Sequence, residues 1–553
     1  MKTTFFPSIV RQKITVLVFI LLITFFAFYP SLRNGFFNWD DSAYLTENET
    51  IRSLAPENIH RMFSAPVQKT YVPLTLVSYA IEYHFFKYNP FVYHFNNLFL
   101  HLSVVALIFV FALQCGLSLM AASCAALLFG IHPMHVESVV WVTERKDLLY
   151  ALFYMLALCC YWKYLKSRHL VTYFLTIVFG LLSILAKPMA LSLPLVLFVC
   201  DWLYKRKFDR WLFIDKLPHL FYIVPIAWMT YSLHARVPGH NFSDGILIWI
   251  WTFTFYLQKF IWPSVIILPY QLPKPIDLFS VPYLSAISLL FMVLFLLLSL
   301  RKNRWIVFAF LFYFVSIFFL LRYDDLKDAH IVANRFMYLP SLGICFLFGA
   351  IIDGLIRKQK YVTMIAVIFL IGILGAKTYF LTTKWKDSWT WWNYVLKQSP
   401  NEEKAYSSRG MVYAANKEYS FALADYDKAL QLNPDYAVAY YNRGNIYRDQ
   451  GHYDLAISDY TKAIENDPSR VDFYQNRAAC YFKKEEFDLA EKDLTMAITV
   501  DPHYAKSYYN RSILYQTKND FKKALADALQ AKFLGYPKID DRYISELKVR
   551  AGL

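Results

Sequence analysis

Long apolar runs, separated by short polar and charged stretches, fill the first 380 residues of the chain. A helix needs about 20 apolar residues to cross a membrane, and many of these runs approach that length. The pattern therefore predicts an all-α fold that begins with a polytopic helical membrane domain over residues 1–385. The candidate spans centre near 14–30, 91–113, 118–133, 148–164, 171–186, 189–204, 218–234, 246–263, 281–300, 305–321, 336–354 and 361–381.

Basic residues between these runs predict how the chain is oriented. Lysine and arginine precede the first run, and no small-residue cleavage site follows it, so we interpret it as an uncleaved helix with a cytoplasmic N-terminus. About eleven crossings place every later basic cluster in the cytoplasm, provided that the proline-rich stretch 234–281 lies outside without crossing. The C-terminal region then also lies outside the cytoplasm, whereas twelve crossings would reverse its side. The later clusters lie at 163–168, 205–210, 301–304 and 357–360.

The region after residue 400 repeats with a fixed period. Pro434, Pro468 and Pro502 lie 34 residues apart, and Asn-Arg pairs and alanines recur at the same spacing. This is the period of the tetratricopeptide repeat, in which small residues let two helices pack closely. We expect four repeats stacked as an α-solenoid with a concave face. The expected boundaries are a linker at 386–402, repeats at 403–538 and a tail at 539–553.

Charge separates the two regions. From Asn401 onward the chain has 22 Lys and Arg against 23 Asp and Glu, so the net charge of +15 divides into −1 there and +16 on the first 400 residues. A basic chain often binds nucleic acid, but here the positive clusters lie between apolar runs, where they orient the membrane domain. We therefore expect no nucleic-acid partner. The seven cysteines show no disulfide framework.

Two adjacent carboxylates, Asp40 and Asp41, follow the first predicted span. Adjacent acids repel, so one keeps a raised pKa or both share a cation or hydrogen-bond donors. A carboxylate of this kind can act as a general base that removes the proton of an acceptor hydroxyl at the membrane surface. The other interpretation is a solvated loop or a helix N-cap, and the choice between Asp40 and Asp41 stays open.

A second polar segment, 130–147, is predicted to lie outside between two spans. Its histidines and carboxylates could ligate a divalent metal, so that possibility stays open. A His-x-x-His pair without cysteine also occurs among surface residues. If the segment is helical after its proline, Glu137 and Glu144 lie two turns apart on one face. Arg145 and Lys146 suit a phosphate, and snorkelling at the membrane surface is the alternative for Lys146. The candidate residues are His132, His135, Glu137, Glu144, Arg145, Lys146 and Asp147.

Two isolated basic residues are also predicted to lie outside. Lys187 stands between two apolar runs, and Arg335 begins another. Their placement runs against the positive-inside bias, which favours a negatively charged partner. For Arg335 the alternative is a salt bridge to Asp324, Asp325 or Asp328.

Several motifs, in the same order, resemble those of the membrane-and-tetratricopeptide-repeat family, which is related to the protein O-mannosyltransferases of the GT-C glycosyltransferase class. The similarity extends through nearly the whole chain. The motifs are Trp39-Asp40-Asp41, Tyr71-Val72-Pro73-Leu74-Thr75, 93–101, 132–147, Ala186-Lys187-Pro188-Met189 and 335–340.

This resemblance implies an integral-membrane glycosyltransferase that uses a polyprenyl- or dolichyl-phosphate sugar, commonly mannose. Transfer would take place on the outer side of the membrane, with inversion at the sugar carbon. A base aspartate in the first outside loop maps to Asp40 or Asp41, and Glu137 is the third candidate catalytic carboxylate. Relatives often have arginine where this chain has Val72, so other basic residues are expected to bind the phosphate. The substrate-binding candidates are His132, His135, Glu144, Arg145, Lys146, Asp147, Lys187 and Arg335.

Two other classes of protein compete with this interpretation. A non-enzymatic scaffold would recruit partners through the repeats and use the spans as an anchor, whereas a transporter would place ionisable residues at mid-span. We expect the enzyme, with membrane lipids, a polyprenyl-phosphate sugar, and a protein or peptide acceptor in the repeat groove as its partners. No cofactor beyond this donor is expected. The predicted location is the plasma or inner membrane of a bacterium, or the endoplasmic reticulum of a eukaryote, with the repeats outside the cytoplasm.

Overall fold

The computed structural model of the chain describes residues 8–68, 70–233, 242–321 and 332–553. Within these ranges the secondary structure is helical, apart from an isolated bridge between Val67 and Thr70. The expected all-α fold is therefore confirmed. The aspartates at 324, 325 and 328, which the sequence offers as partners for Arg335, lie outside the described residues, as does part of the proline-rich stretch at 234–241.

The chain divides into two compact units, Met1–Trp391 and Trp392–Leu553. Their division falls within helix α17 (Ser388–Gln398). The α-helices of the first unit that precede α17 are α1 Ser8–Phe28, α2 Pro56–Ser64, α3 Pro73–Phe86, α4 Pro90–Gln114, α5 Leu119–Ile131, α6 Val136–Val140, α7 Arg145–Ser167, α8 Leu170–Ala186, α9 Leu193–Tyr204, α10 Trp211–Ile214, α11 Leu217–Leu233, α12 Phe242–Ile261, α13 Val281–Ser299, α14 Arg304–Phe318, α15 Ser341–Lys358 and α16 Lys360–Lys384.

Short helical turns connect several of these helices. They matter because the polar motifs of the sequence fall on them rather than on the long helices. The turns are Tyr29–Arg33, Ser42–Thr46, Glu49–Arg52, Pro133–His135, Val142–Glu144, Pro188–Ser192 and Asn334–Met337.

Several helical segments are long and apolar enough to cross a membrane, which supports a multi-pass membrane protein. Among the described residues, length and composition select five such segments, and a sixth if a pair bent by 48° forms one span. The predicted eleven crossings exceed this number because several apolar runs form helices of fewer than 18 residues. The count of eleven and the side of the C-terminal unit stay predictions. The five segments are Ile9–Arg33, Pro90–Gln114, Val142–Ser167, Val281–Ser299 and Lys360–Lys384, and the bent pair is Leu119–Ile131 with Pro133–Val140.

Small residues let helices of the first unit approach closely. A Cβ atom at Gly349 of α15 would overlap the backbone oxygen of Ala121 in α5, and it would lie 3.3 Å from the Cβ of Ala125. Close backbone approach at small residues is a common way for membrane helices to pack. The α5 and α15 helices therefore pack at a distance that only glycine at position 349 allows.

A break in the chain separates the polar motifs between α5 and α7. His132 is extended, with ψ of 131°, because a residue before proline disfavours the helical conformation. Trp141 is extended as well, with ψ of 118°, and α7 begins only at Arg145. The expectation that Glu137 and Glu144 share one helix face is therefore wrong.

The second unit is built of helix pairs at the predicted period. Four pairs cover the region of the four expected repeats, and a last helix follows them. The helices are α18 Glu403–Ala415, α19 Tyr419–Leu432, α20 Ala437–Asp449, α21 Tyr453–Asn466, α22 Val471–Lys483, α23 Phe487–Val500, α24 Ala505–Thr517, α25 Phe521–Phe533 and α26 Asp541–Ala551.

An arginine of each pair's first helix binds an aspartate of the second helix through two hydrogen bonds. In α22 and α23, for example, Arg477 donates to both carboxylate oxygens of Asp493 at 2.7 and 2.8 Å. Arg477 also donates through Nη1 to Thr461 of the preceding pair at 2.9 Å. These bonds tie each helix pair to its neighbour. The equivalent pairs are Arg409–Asp425, Arg443–Asp459 and Arg511–Asp527.

The predicted linker at 386–402 contains a helix in the same register as the repeats. Asn393 of α17 accepts a hydrogen bond from Nη1 of Arg409 at 2.9 Å, as Asp427 does from Arg443 at 2.6 Å one period later. Pro400 likewise lies one period before Pro434. Thus α17 occupies the place of the second helix of a preceding repeat.

Candidate active site

Asp41 lies in the protein interior, in the loop that follows α1. Its Oδ2 accepts a hydrogen bond from the Phe37 amide at 2.7 Å, and its Oδ1 accepts hydrogen bonds from the amide of Thr143, at 3.1 Å, and from the Thr143 hydroxyl. Burial raises the pKa of the Asp41 carboxyl to about 6, although these hydrogen bonds oppose the rise. Asp41 therefore joins its loop to the segment before α7, and protein donors occupy its oxygens.

Asp40, next to it, is only half-buried. Among the described residues, no hydrogen bond to the Asp40 carboxylate is formed, and the groups that influence it are charged side chains. Burial raises the pKa of Asp40 above its usual value, while Lys146 and Arg335 act to lower it. Of the two adjacent acids, Asp41 is therefore the one held by hydrogen bonds within the described part of the chain.

Arg335 links two carboxylates from the two sides of the chain break. Its Nη1 donates to Glu137 Oε1 at 2.5 Å, and its Nε lies 3.3 Å from Glu144 Oε1. Its guanidinium also lies over the Trp141 ring, 5.6 Å from the centroid. These carboxylates raise the pKa of Arg335 against the desolvation that would lower it, so the side chain is charged. Glu137 and Glu144 thus meet through Arg335 and not through a shared helix.

Two lysines complete this cluster of charges. Lys146 Nζ lies 3.2 Å from Glu144 Oε1 and 4.8 Å from the centroid of the Tyr44 ring. Lys187 Nζ donates to Asp147 at 2.5 Å and lies 3.5 Å from Glu144 Oε2. Both lysine side chains are under 10% exposed, whereas that of Arg335 is 21% exposed. Arg335 is therefore the most accessible cation of the group.

Arg145 belongs to a separate network, although it is the sequence neighbour of Lys146. Its Nη1 lies 2.5 Å from Glu82 Oε2, its Nε donates to Asn97 Oδ1 at 2.8 Å, and its Nη2 donates to the Tyr93 backbone at 2.9 Å. The guanidinium is 1% exposed and lies over the ring of Tyr79. The structure thus places the expected phosphate ligand Arg145 away from the charged cluster, with all three nitrogens bonded inside the protein.

The two histidines also bond to other parts of the protein. His132 Nε2 bonds to the Phe260 carbonyl oxygen at 2.9 Å, and its ring stacks on that of Phe260. His135 bonds through Nδ1 to the Phe129 carbonyl oxygen at 2.7 Å and through Nε2 to the Ser341 hydroxyl at 3.1 Å. Both rings are buried. In the described part of the chain, no group of three His, Cys, Asp or Glu side chains is placed to hold a metal ion.

Comparisons with known proteins agree with the motifs of the sequence. A tetratricopeptide repeat family model matches residues 403–436, 437–470 and 471–504. The chain is 25% identical over 472 residues to human Protein O-mannosyl-transferase TMTC4, an alignment that covers 71% of this chain and 63% of the relative. It is 31% identical over 153 residues to Protein O-mannosyl-transferase tmtc2 of Xenopus laevis, covering 25% of this chain and 18% of the relative. The chain is therefore similar to protein O-mannosyl-transferases, and it carries tetratricopeptide repeats.

A third relative, Protein O-mannosyl-transferase Tmtc1 of Drosophila melanogaster, is 28% identical over 184 residues, covering 32% of this chain and 21% of the relative. The alignment with TMTC4 extends over less than two thirds of that relative's length. The expected family resemblance is thereby confirmed.

Three residues around the candidate site were not predicted from the sequence. Thr143 fixes Asp41, the Tyr44 ring underlies Lys146, and the Trp141 ring underlies Arg335. Trp141 also packs against Trp39, with ring centroids 5.4 Å apart. Thr143 and Trp141 lie in the segment 132–147 that the motifs single out, but neither residue is titratable, so a search for charged groups passes over them.

Proposed function

We propose that the chain is a membrane protein O-mannosyltransferase. It would transfer mannose from a polyprenyl- or dolichyl-phosphate donor to a hydroxyl of a protein or glycan, on the extracytoplasmic side and with inversion. The names of the relatives support the general activity. The observation that carries the proposal is the Asp40 carboxylate, which has no hydrogen-bond donor in the described part of the chain and is influenced by Lys146 and Arg335.

Asp40, rather than Asp41, is proposed as the general base. A base needs an unoccupied oxygen within reach of the hydroxyl that it deprotonates. The Asp41 oxygens are occupied by donors from Phe37 and Thr143, so Asp41 holds the loop in place. Burial raises the pKa of Asp40, which makes its carboxylate a stronger base than an ordinary aspartate, while the positive charges of Lys146 and Arg335 favour its ionised form.

Arg335 and Lys146 are proposed to bind the lipid phosphate. Arg335 uses its Nη1 and Nε for carboxylates, which leaves the Nη2 donors for a ligand. Lys146 is within 4 Å of one carboxylate, that of Glu144, and it also has donors left over. Lys187 forms ion pairs with two carboxylates, those of Glu144 and Asp147, and so has fewer donors left than Lys146. It is proposed to balance those two charges and to contact the phosphate only secondarily.

The proposed reaction is a single displacement. Asp40 accepts the proton of the acceptor hydroxyl, whose oxygen forms the new bond to the anomeric carbon. The bond between that carbon and the phosphate oxygen breaks, and its electron pair leaves with the lipid phosphate. Arg335 and Lys146 stabilise the negative charge that develops on this oxygen. Because attack and departure occur on opposite faces of the sugar, the configuration inverts.

Glu137, Glu144 and Asp147 are proposed as positioning residues. Glu137 and Glu144 orient the guanidinium of Arg335, and Asp147 orients the ammonium of Lys187. Glu137 was a candidate catalytic carboxylate, but its Oε1 is bound to Arg335 and its side chain is only 2% exposed. The buried residues His132, His135 and Arg145 are proposed to hold the surrounding turns together.

The repeats are proposed to bind a protein or peptide acceptor. The Asn476 amide donates to Asn445 at 2.8 Å and to the Tyr441 hydroxyl at 3.1 Å, and the Asn510 amide donates to Gln475 at 3.0 Å. These groups lie on the first helices of successive pairs and form a row of amides across the repeats. Side-chain amides can both donate to and accept from the backbone of an extended peptide.

The direct test uses purified full-length protein, a labelled polyprenyl-phosphate mannose and a pool of extracytoplasmic proteins, with and without chelator. We expect the label to appear on protein hydroxyls. The full-length double variant Asn476→Ala/Asn510→Ala should transfer the label to peptide acceptors more slowly than the wild type. The absence of transfer from every polyprenyl- and dolichyl-phosphate sugar would overturn the proposal.

A further inference from the structure

Lys259 and Lys377 approach the same short turn from two helices. Lys259 lies near the end of α12, and its Nζ donates to the Val265 carbonyl oxygen at 3.0 Å. Lys377 lies in α16, and its Nζ donates to the Ser264 carbonyl oxygen at 2.6 Å and to that of Pro263. Two ammonium groups are thus gathered around the turn 263–265.

The charges of this pair are not balanced by acids. In the described part of the chain, no carboxylate lies within 4 Å of Lys259 Nζ or Lys377 Nζ, in contrast to Lys146 and Lys187. An ammonium has three N–H donors. Lys259 uses one and Lys377 uses two on carbonyl oxygens, so donors remain on both. Two unbalanced positive charges with spare donors form a site suited to a phosphate.

The surroundings of the pair are apolar and exposed. Ile261 and Trp262, which follow Lys259, are 69% and 73% exposed. Lys377 lies in the candidate span Lys360–Lys384, which has only a small buried fraction, so most of its apolar face is also accessible. Lys377 precedes the end of that helix at Lys384 by about 10 Å, at 1.5 Å per residue. This depth fits the border between headgroups and acyl chains, where tryptophan is also favoured.

Carbonyl contacts alone do not account for both lysines. A lysine beside a helix end commonly binds the last free carbonyl groups or snorkels to water. Lys259 fits that description, but Lys377 belongs to another helix and is directed to the same turn. The second ammonium adds repulsion that a helix cap does not require, whereas an anion bound between the two would relieve it.

We propose that Lys259 and Lys377 form a binding site for the phosphate headgroup of a membrane lipid. The site is separate from the Arg335 cluster and does not depend on glycosyl transfer. The turn leads on to Tyr270, whose hydroxyl donates to Asn334 Oδ1 at 2.9 Å, and Asn334 directly precedes Arg335. A lipid phosphate at the lysine pair would therefore be held beside a loop that supports the charged cluster.

The test measures lipid retention by native mass spectrometry of the purified full-length protein. Wild-type protein, the double variant Lys259→Gln/Lys377→Gln and the variant Lys360→Gln are each mixed with a polyprenyl phosphate, with phosphatidylglycerol or with inorganic phosphate. Lys360 is an exposed lysine at the start of the same α16 helix, and it serves as the matched control. Thermal unfolding of each variant verifies folding.

We expect the double variant to retain at least one of the two phosphate lipids about ten-fold less well, which corresponds to the loss of a charge-assisted contact. The lipid that is lost identifies the source of the phosphate. Lys360→Gln should retain lipids like the wild type, and Lys259→Arg/Lys377→Arg should restore binding. Equal retention of both lipids by the double variant and the wild type would overturn the proposal, as would equal loss in Lys360→Gln or binding of inorganic phosphate alone.

Discussion

The guanidinium of Arg335 donates to the Glu137 carboxylate at 2.5 Å, across 198 residues of sequence. Through its Nε the same side chain reaches Glu144, on the far side of the break at Trp141. Arg335 therefore fixes the relative position of two segments that no helix joins. Its side chain is also the most exposed cation of the cluster. Arg335 thus holds the two segments together and is also the proposed phosphate ligand.

Replacing Arg335 by lysine is expected to slow mannose transfer by about ten-fold or more. A single ammonium cannot bind two carboxylates and a phosphate at once, as the planar guanidinium can with its several N–H groups. The rate of transfer from a labelled donor measures this effect. Arg357→Lys is the matched control, since Arg357 is 76% exposed and pairs with Asp353 on the same helix. A lysine variant as active as the wild type would exclude Arg335 from the phosphate contact.

Thr143→Val is expected to lower the free energy of unfolding by about 1–3 kcal/mol, since it removes a hydrogen bond to a buried carboxylate. Valine has nearly the shape of threonine, so packing changes little. Thermal unfolding in detergent measures the effect. Thr383→Val, which removes an exposed hydroxyl bonded to the Phe380 carbonyl oxygen, should leave the unfolding temperature nearly unchanged. Equal effects of the two changes would argue against a structural role of the bond between Thr143 and Asp41.

The pKa of Asp41 predicts how stability depends on pH. Its carboxyl titrates at about 6 in the folded protein, above the ordinary value of 3.8, so the folded state binds the proton more tightly than the unfolded state. The free energy of unfolding should therefore decrease as pH rises from about 4 to about 6, by at most about 3 kcal/mol from this group. Unfolding of wild-type protein and Asp41→Asn across this range isolates the contribution. Parallel curves for the two proteins would contradict it.

Gly349→Ala is expected to destabilise the first unit by about 1–3 kcal/mol, because the new methyl group would overlap the Ala121 backbone. Gly354 provides a control on the same helix, since a Cβ atom there meets nothing within 4 Å. Gly354→Ala should be neutral or slightly stabilising, as alanine favours a helix over glycine. Comparison of the two unfolding temperatures tests the close packing of α5 against α15, and no difference between them would contradict it.

Periodic features of the fold could be predicted from the sequence, whereas features set by distant contacts could not. The spacing of Pro434, Pro468 and Pro502 gave the period of the helix pairs directly. The same spacing extends to Pro400, although the helix before it lies within the predicted linker at 386–402. That this helix is in register with the repeats is seen only from the hydrogen bond between Asn393 and Arg409.

The sequence could be used to name candidate site residues, but not the hydrogen bonds and ion pairs that they form. Asp41 differs from Asp40 in its hydrogen bonds to Thr143, a residue 102 positions away in the sequence. Arg145 forms an ion pair with Glu82, which lies on another helix, and the sequence did not indicate this pairing. A sequence shows which charges exist, but the partner of each buried charge depends on tertiary packing.

If Asp40 is the base of the glycosyl transfer, the variant Asp40→Asn lacks the proton acceptor of the reaction. Transfer from labelled polyprenyl-phosphate mannose is compared for the wild type, for Asp40→Asn and for Glu49→Gln, an exposed acid further along the same loop. We expect Asp40→Asn to lose transfer by about 100-fold or more with an unchanged unfolding temperature, while Glu49→Gln keeps full activity. Full transfer by a folded Asp40→Asn protein would contradict this expectation.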